Sequence, residues 1–174
     1  IKNPFFIIDK KISTLYKYKN INKKNSIIIN PSENQKQYAN IENFLISIMN
    51  LKVNRDTTLV AIGGGVVQDI SSFIAMTYFR GIKLIFVPTT LISQADSCIG
   101  SKVSINLRKY KNSIGGYYPP ELIFLNTEFI NFLSKKHIKS GIGEMAHYFF
   151  LSNSINFNIF KKFFNNFDYK NLND

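Results

Sequence analysis

Ala61-Ile62-Gly63-Gly64-Gly65-Val66-Val67-Gln68-Asp69 is the stretch on which the fold of this 174-residue chain turns. Strand formers at residues 57–62 lead directly into three glycines. Val66, Val67, Ile70, Phe73 and Ile74 then recur at helical spacing. Strand, glycine turn and helix together present bare backbone N–H groups and a helix N-terminus, the arrangement that receives a phosphate. Glycine lets backbone approach a ligand where a Cβ would block it. The helix end adds a partial positive charge worth about 0.3–1 kcal/mol toward an exposed anion. A tight turn without a ligand would need fewer than three glycines. By itself the motif points to a nucleotide or a sugar phosphate and no further.

Working outward, residues 5–9 and 26–30 read as short buried strands, the first ending in Asp9 and the second stopped by Pro31-Ser32. A helix is expected over residues 12–18, with Ser13 near its start. Tyr38, Ile41, Phe44, Leu45, Ile48 and Met49 predict an amphipathic helix over about residues 36–50. Beyond the glycines the helix should run to about Phe79 and end at Gly81. Residues 82–87 form the next strand, stopped by Pro88, with Thr89-Thr90 at its C-terminal edge. Residues 97–118, rich in Gly, Ser, Asn and Tyr, read as a functional loop or hairpin. Residues 122–125 form a further strand with Asn126-Thr127 at its end. Alternating strands and helices imply an α/β fold, a parallel sheet with helices on both faces. From Ser134 onward two apolar helical stripes follow, which places a domain boundary near residue 134. The polar tail from residue 165 should fray.

Composition narrows the function classes. Hydrophobic residues make up 45% of the chain, enough for a real core. No apolar run is long enough to span a bilayer, and no signal-peptide pattern opens the chain, so no membrane partner is expected. Cys98 is the only cysteine, which excludes an intrachain disulfide and fits a reducing cytoplasm. The net charge is +11. Its lysines are scattered or in short pairs, so a solvated surface is the better account than nucleic-acid binding. A positive field of this kind would also attract a phosphorylated acid. The first residue, Ile1, and the abrupt end after Asp174 suggest an excerpt of a longer protein.

Polar residues gather at the expected strand ends and in the long loop: Asp9, Asp69, Thr89, Thr90, Asp96, Lys102, Lys111, Asn112 and Thr127. Singly, each reads as a cap, a turn or a surface residue. Jointly, on a doubly wound sheet, they face one crevice.

These residues carry a resemblance. The string Arg55-Asp-Thr-Thr-Leu-Val-Ala-Ile-Gly-Gly-Gly-Val-Val-Gln-Asp69 resembles the 3-dehydroquinate synthase family of sugar-phosphate cyclases. So do Tyr78-Phe-Arg-Gly81, Val87-Pro-Thr-Thr-Leu-Ile-Ser-Gln-Ala-Asp-Ser97, Gly100-Ser-Lys102, Lys111-Asn-Ser-Ile-Gly115 and Ser140-Gly-Ile-Gly-Glu144. Their order and spacing cover about residues 5–150. The resemblance implies an NAD-binding α/β domain over residues 1–134, truncated at its N-terminus, and the incomplete start of a helical, metal-binding domain over residues 135–174. It also implies a homodimer and the conversion of 3-deoxy-D-arabino-heptulosonate 7-phosphate to 3-dehydroquinate and phosphate, in the shikimate pathway. In that chemistry a ring hydroxyl is oxidised by NAD, phosphate is eliminated, and the hydride is returned. A divalent metal, zinc or alternatively cobalt, polarises the oxidised centre.

Position by position, the resemblance implies cofactor contacts from Asp9, Glu33, Lys36, Gly64, Gly65, Asp69, Thr89, Thr90 and Thr127. It implies substrate contacts from Asp96, Lys102 and Asn112, with Lys102 and Lys111 lying beside both cofactor and substrate. Arg80 matches an arginine that reaches the substrate phosphate of a neighbouring subunit, and Glu144 matches a metal ligand. Three positions depart from the family pattern. Ser32 replaces the glycine before Glu33, and Gln68 replaces the glycine before Asp69 with an effect expected to be local. His147 stands where a substrate-contacting lysine is usual. Glu144 and His147, three apart on a helix, could in principle share a metal.

The two histidines that complete the family's metal site lie in its later helical domain, and His137 and His147 do not occupy their places. A lone glutamate is too few ligands, so the piece alone is expected to be inactive. Three rival readings stand beside this one. One is another sugar-phosphate cyclase, acting for example on sedoheptulose 7-phosphate. The second is an NAD-dependent polyol dehydrogenase, against which Lys102 and Lys111-Asn112 argue. The third is a basic nucleic-acid-binding module.

Overall fold

The computed structural model describes residues 1–16 and 21–166. In chain order its main elements are β1 (Pro4–Asp9), α1 (Lys10–Leu15), β2 (Ser26–Ile29), α2 (Tyr38–Asn50), β3 (Thr58–Gly63), α3 (Gly65–Thr77) and β4 (Lys83–Pro88). They continue with β5 (Lys102–Leu107), β6 (Tyr110–Tyr117), β7 (Leu122–Ile123), α4 (Lys135–Leu151) and α5 (Ser154–Asn166). Five strands form one parallel sheet in the order β2-β1-β3-β4-β7, while β5 and β6 form a separate antiparallel hairpin.

Alternation along the central strands sorts the core into two layers. Phe5, Ile7, Leu59, Ala61, Leu84 and Phe86 face the side covered by α2, α3 and the hairpin. Ile8, Val60, Ile62 and Ile85 face the other side, where Ile12 of α1 and Phe129 cover them. Chain order reverses between β1 and β3, so the crevice outside their C-terminal ends is the topological switch point of the sheet. Register keeps the strand ends level: Ile62 pairs with Val87 and Gly63 with Pro88. Asp9, the glycine turn and Thr89 therefore leave the sheet at one edge.

Several element ends differ from the sequence expectation. The first helix starts at Lys10, because the Asp9 carboxylate accepts the Lys11 N–H at 2.7 Å and caps it. Its α-helical turns stop at Leu15, and the expected continuation over residues 17–18 lies outside the described residues. Lys36 is not in the long helix: residues Glu33–Lys36 form a separate 3₁₀ turn before α2. The glycine-turn helix ends at Thr77, and Tyr78–Arg80 tighten into a 3₁₀ turn. β7 is shorter than expected, since it has one neighbour and Asn126 opens a 3₁₀ turn at Thr127–Phe132 by accepting the Glu128 N–H.

Ser134 caps α4 through the His137 N–H. Ile138 and Ile142 of α4 pack with Phe160 of α5 in an apolar cluster distinct from the two sheet layers. Gly141 is where α4 meets the chain after β4: a Cβ there would lie 2.6 Å from Leu91. The fraying tail expected from residue 165 falls almost wholly outside the described residues. No helix among the described residues is long and apolar enough to cross a membrane.

Candidate functional site

Three successive glycines do three different things. A Cβ on Gly63 would sit 2.6 Å from Val67, which is fully buried, so that glycine lets the first helical turn close onto the strand. A Cβ on Gly64 would sit 2.8 Å from Cγ2 of Thr90, so that glycine admits the chain leaving β4. A Cβ on Gly65 would meet nothing within 4 Å. Gly64 is the N-cap of α3 and no side chain caps it, so the first-turn amides are presented bare beside open space. Thr89 binds the turn from the side, its N–H donating to the Gly63 carbonyl at 3.1 Å. Thr90 and Ser93 cap each other reciprocally: Thr90 N–H donates to Ser93 Oγ at 3.0 Å and Ser93 N–H donates to Thr90 Oγ1 at 3.2 Å.

Beside the turn lies a ring of polar side chains drawn from three distant segments. Lys36 Nζ donates to Asp69 Oδ2 at 2.7 Å and to Asn112 Oδ1 at 2.7 Å. It also lies 3.9 Å from Glu33 Oε1. Asn106 Nδ2 donates to Glu33 Oε1 at 2.8 Å, and Asn106 Oδ1 accepts the Asn112 N–H at 2.8 Å. The lysine side chain is only 6% exposed, whereas Asp69 keeps 25% and Glu33 47%. Burial pushes the Asp69 carboxyl above its ordinary range; the hydrogen bond and charge of Lys36 pull it back, and Glu33 adds to the rise. A long cation buried at a sheet edge among two carboxylates and an amide is costly unless it orders something.

The hairpin is built to supply two members of this ring. Ile105 pairs with Ile114, but Leu107 pairs with Tyr110, so three residues of β6 face Asn106 alone. This bulge turns Lys111-Asn112 out of the ladder. Asn112 takes a left-handed backbone there, with φ 49°, which asparagine tolerates better than most residues.

A second cluster joins the turn to α4. Ser93–Ser97 winds as a single π-helical stretch carrying Asp96. Tyr148 OH of α4 donates to Asp96 Oδ1 at 2.6 Å. That bond, made to a carboxylate, raises the Tyr148 hydroxyl above its usual range. Ser97 Oγ donates to Gln68 Oε1 at 2.7 Å, so Gln68, 3% exposed, reaches from α3 to the stretch that bears Asp96, and its influence extends beyond its own turn. Glu144 and His147 lie a turn apart on α4, and His147 stacks edge-on with Tyr148 at 5.7 Å. Among the described residues no three His, Cys, Asp or Glu side chains converge to hold a metal ion.

Other expected site residues stand apart from these clusters. Asp9 spends one oxygen on the cap of α1. Thr127 is exposed and opens a 3₁₀ turn rather than ending a strand. Lys102 and Lys111 are exposed at opposite ends of the hairpin, Lys102 pairing with Tyr117 and Lys111 lying in the bulge. Arg80 is exposed on a turn where Phe79, Arg80 and Gly81 have φ of 51°, 66° and 120°. The turn is held by Gly81 N–H on the Tyr78 carbonyl at 3.0 Å and by Tyr118 OH on the Ile82 carbonyl at 2.9 Å. Left-handed non-glycine residues cost of order 1–2 kcal/mol each and persist where the surroundings over-determine them.

A family profile described as 3-dehydroquinate synthase N-terminal matches residues 26–140, from β2 to the first turns of α4. The chain belongs to the 3-dehydroquinate synthase family. It is 38% identical over 149 residues to the 3-dehydroquinate synthase of Clostridium tetani, an alignment covering 83% of this chain and 40% of that protein. The chain spans less than half the length of the curated relatives it matches. Among solved structures it is similar to ValA, the 2-epi-5-epi-valiolone synthase of Streptomyces hygroscopicus, solved with NAD+ and Zn2+ bound. That match has a TM-score of 0.75 and 26% identity, and covers 84% of this chain and 43% of ValA. It is likewise similar to 2-deoxy-scyllo-inosose synthase complexed with carbaglucose-6-phosphate, NAD+ and Co2+. Here the TM-score is 0.70 and the identity 27%, over 80% of this chain and 40% of that one. These likenesses establish the α/β fold with its parallel sheet as that of sugar-phosphate cyclases.

Within the family frame, the geometry unites Glu33, Lys36, Asp69 and Asn112 directly. Sequence reasoning missed Asn106 and Tyr148. Asn106 sits in a strand whose alternation runs Val103, Ile105, so by period it should point away from the core, yet it is 1% exposed because the register breaks there. Tyr148 was legible only as the neighbour of His147; its partner Asp96 is 52 residues away.

Proposed function

We propose that this chain forms the cofactor-binding part of a 3-dehydroquinate synthase, which converts 3-deoxy-D-arabino-heptulosonate 7-phosphate to 3-dehydroquinate and phosphate. NAD would supply reversible hydride transfer within one turnover, and zinc or cobalt would complete the site. The observation that carries the reading is the Lys36 ring beside an uncapped helix N-terminus. The residues present fit the cofactor: bare first-turn amides and the open space at Gly65 suit a pyrophosphate. Lys36 holds Asp69 against Asn112 and so fixes the edge along which cofactor and substrate would meet. Asp96, oriented by Tyr148, would accept a substrate hydroxyl. Lys102, Lys111 and, from a second subunit of a homodimer, Arg80 would meet the anionic groups. Glu144 offers one metal ligand, too few among the described residues to hold a metal ion.

The test is an assay of the full-length enzyme for phosphate release, with NADH absorbance followed in parallel. Release from the heptulosonate without net NADH is expected; absence of release refutes the assignment. The 174-residue piece assayed alone is expected to be inactive. A second reading, a cyclase acting on sedoheptulose 7-phosphate, is favoured by His147 in place of a lysine. Faster release from that ketose than from the heptulosonate would select it.

A further inference from the structure

Asn106 is the one member of the polar ring for which neither a cofactor nor a substrate contact is expected. We propose that it is a positioning residue that locks Glu33 to Asn112 and so couples the cofactor and substrate sides of the crevice. The inference rests on the functional reading above, in which Glu33 contacts the cofactor and Asn112 the substrate. With 1% of its surface exposed, Asn106 can act only through its neighbours.

Its amide can be oriented one way only: the NH₂ toward the Glu33 carboxylate at 2.8 Å, the oxygen toward the Asn112 N–H at 2.8 Å. That N–H needs a partner, since the bulge removes Asn112 from the regular β5–β6 ladder. Glu33, with 47% of its side chain exposed, is not held by packing. Among the described residues its side-chain contacts are the Asn106 bond and the longer approach to Lys36 at 3.9 Å, and Asn106 Nδ2 also reaches the Glu33 backbone carbonyl at 3.4 Å. The backbone of Asn106 also bridges to Gln37, and Gln37 Nε2 donates to the Arg108 carbonyl at 3.1 Å, so the 3₁₀ turn is docked on the bulged hairpin as a unit. A side chain with adjacent donor and acceptor on a short stem is what this place requires. Leucine offers neither group, and aspartate offers only acceptors.

The experiment uses the full-length enzyme with Asn106→Ala, Asn106→Asp, Glu33→Gln and the double variant Asn106→Asp/Glu33→Gln. NAD affinity is read by titration calorimetry and heptulosonate turnover by phosphate release. Asn106→Ala should weaken NAD binding and raise the heptulosonate KM together, each about 5–10-fold, with kcat changing less. Asn106→Asp keeps the acceptor for the Asn112 N–H but sets two carboxylates face to face, and should weaken NAD binding at least as much. In the double variant the amide introduced at position 33 donates to the carboxylate introduced at position 106. NAD affinity and KM should then return to within about 3-fold of Glu33→Gln alone.

Native-like NAD binding by Asn106→Asp, or a double variant no better than it, overturns the proposal. So does a loss of folding in Asn106→Asp that the second substitution does not repair, read by circular dichroism. If the unsubstituted enzyme binds NAD but releases no phosphate from the heptulosonate, the functional assignment fails while the NAD titrations still decide the role of Asn106. If it binds no NAD, both fall.

Discussion

Replacing Lys36 with methionine keeps the buried stem and removes the ammonium at the centre of the ring. That ammonium lies 2.7 Å from Asp69 Oδ2 and 2.7 Å from Asn112 Oδ1. Burial raises the Asp69 carboxyl, the hydrogen bond and charge of Lys36 lower it, and the charge of Glu33 raises it. The substitution deletes both lowering influences and leaves both raising ones. Breaking a buried pair costs about 3–5 kcal/mol when one charge is stranded. Asp69 keeps 25% of its side chain exposed and can take up a proton, so the expected loss near neutral pH is about 2–4 kcal/mol.

The pH dependence has a definite sign. A carboxyl whose folded pKa is raised holds an extra proton in the native state between its unfolded and folded values. Its contribution to stability is complete below the unfolded value and is lost as pH rises through the folded one. Lys36→Met moves the folded value of Asp69 still higher. Its deficit against the native protein should therefore grow from about pH 4 upward, leaving below that only the pH-independent loss of the Lys36 bond to Asn112. Urea unfolding followed by circular dichroism, at several pH values across this window, measures it. The double variant Lys36→Met/Asp69→Asn removes both charges and should recover to within about 1 kcal/mol of the native protein. A single variant within about 0.5 kcal/mol of native at neutral pH would refute the reasoning, as would a double variant no more stable than the single.

Gly65→Ala should leave the urea midpoint unchanged or slightly higher while weakening NAD binding about 10-fold or more, because its Cβ enters open space at the helix end. Gly63→Ala should instead lose about 1–3 kcal/mol through the 2.6 Å approach to Val67. If Gly65→Ala binds NAD normally in calorimetry, the cradle is misplaced. Tyr148→Phe removes the hydroxyl that donates to Asp96 at 2.6 Å. It should raise the heptulosonate KM about 3–10-fold with NAD affinity unchanged, and a loss confined to NAD affinity would contradict it.

The sheet was legible because each strand is a short apolar run closed by a turn residue, and local chemistry suffices to recognise such runs. Burial was not, since β2, expected to be buried, is an edge strand with Ile28 55% exposed. The elements that moved did so for tertiary reasons. Lys36 left the long helix because the 3₁₀ turn that carries it docks on the hairpin. β7 shortened because it is an edge strand with one neighbour. Among the candidate site residues, Glu33, Lys36, Asp69 and Asn112 could be named from their motifs. Their mutual contacts could not, since Lys36 and Asn112 lie 76 residues apart.

Sequence by itself therefore determined the parallel α/β fold, the three-glycine turn and the family, because these reside in short contiguous patterns. Tertiary structure alone decided which glycine is left open to a ligand, that Asn106 closes the ring, and that Tyr148 holds Asp96. Each depends on a register break or on a contact between distant segments, and no local pattern of residues encodes where a bulge will aim a side chain.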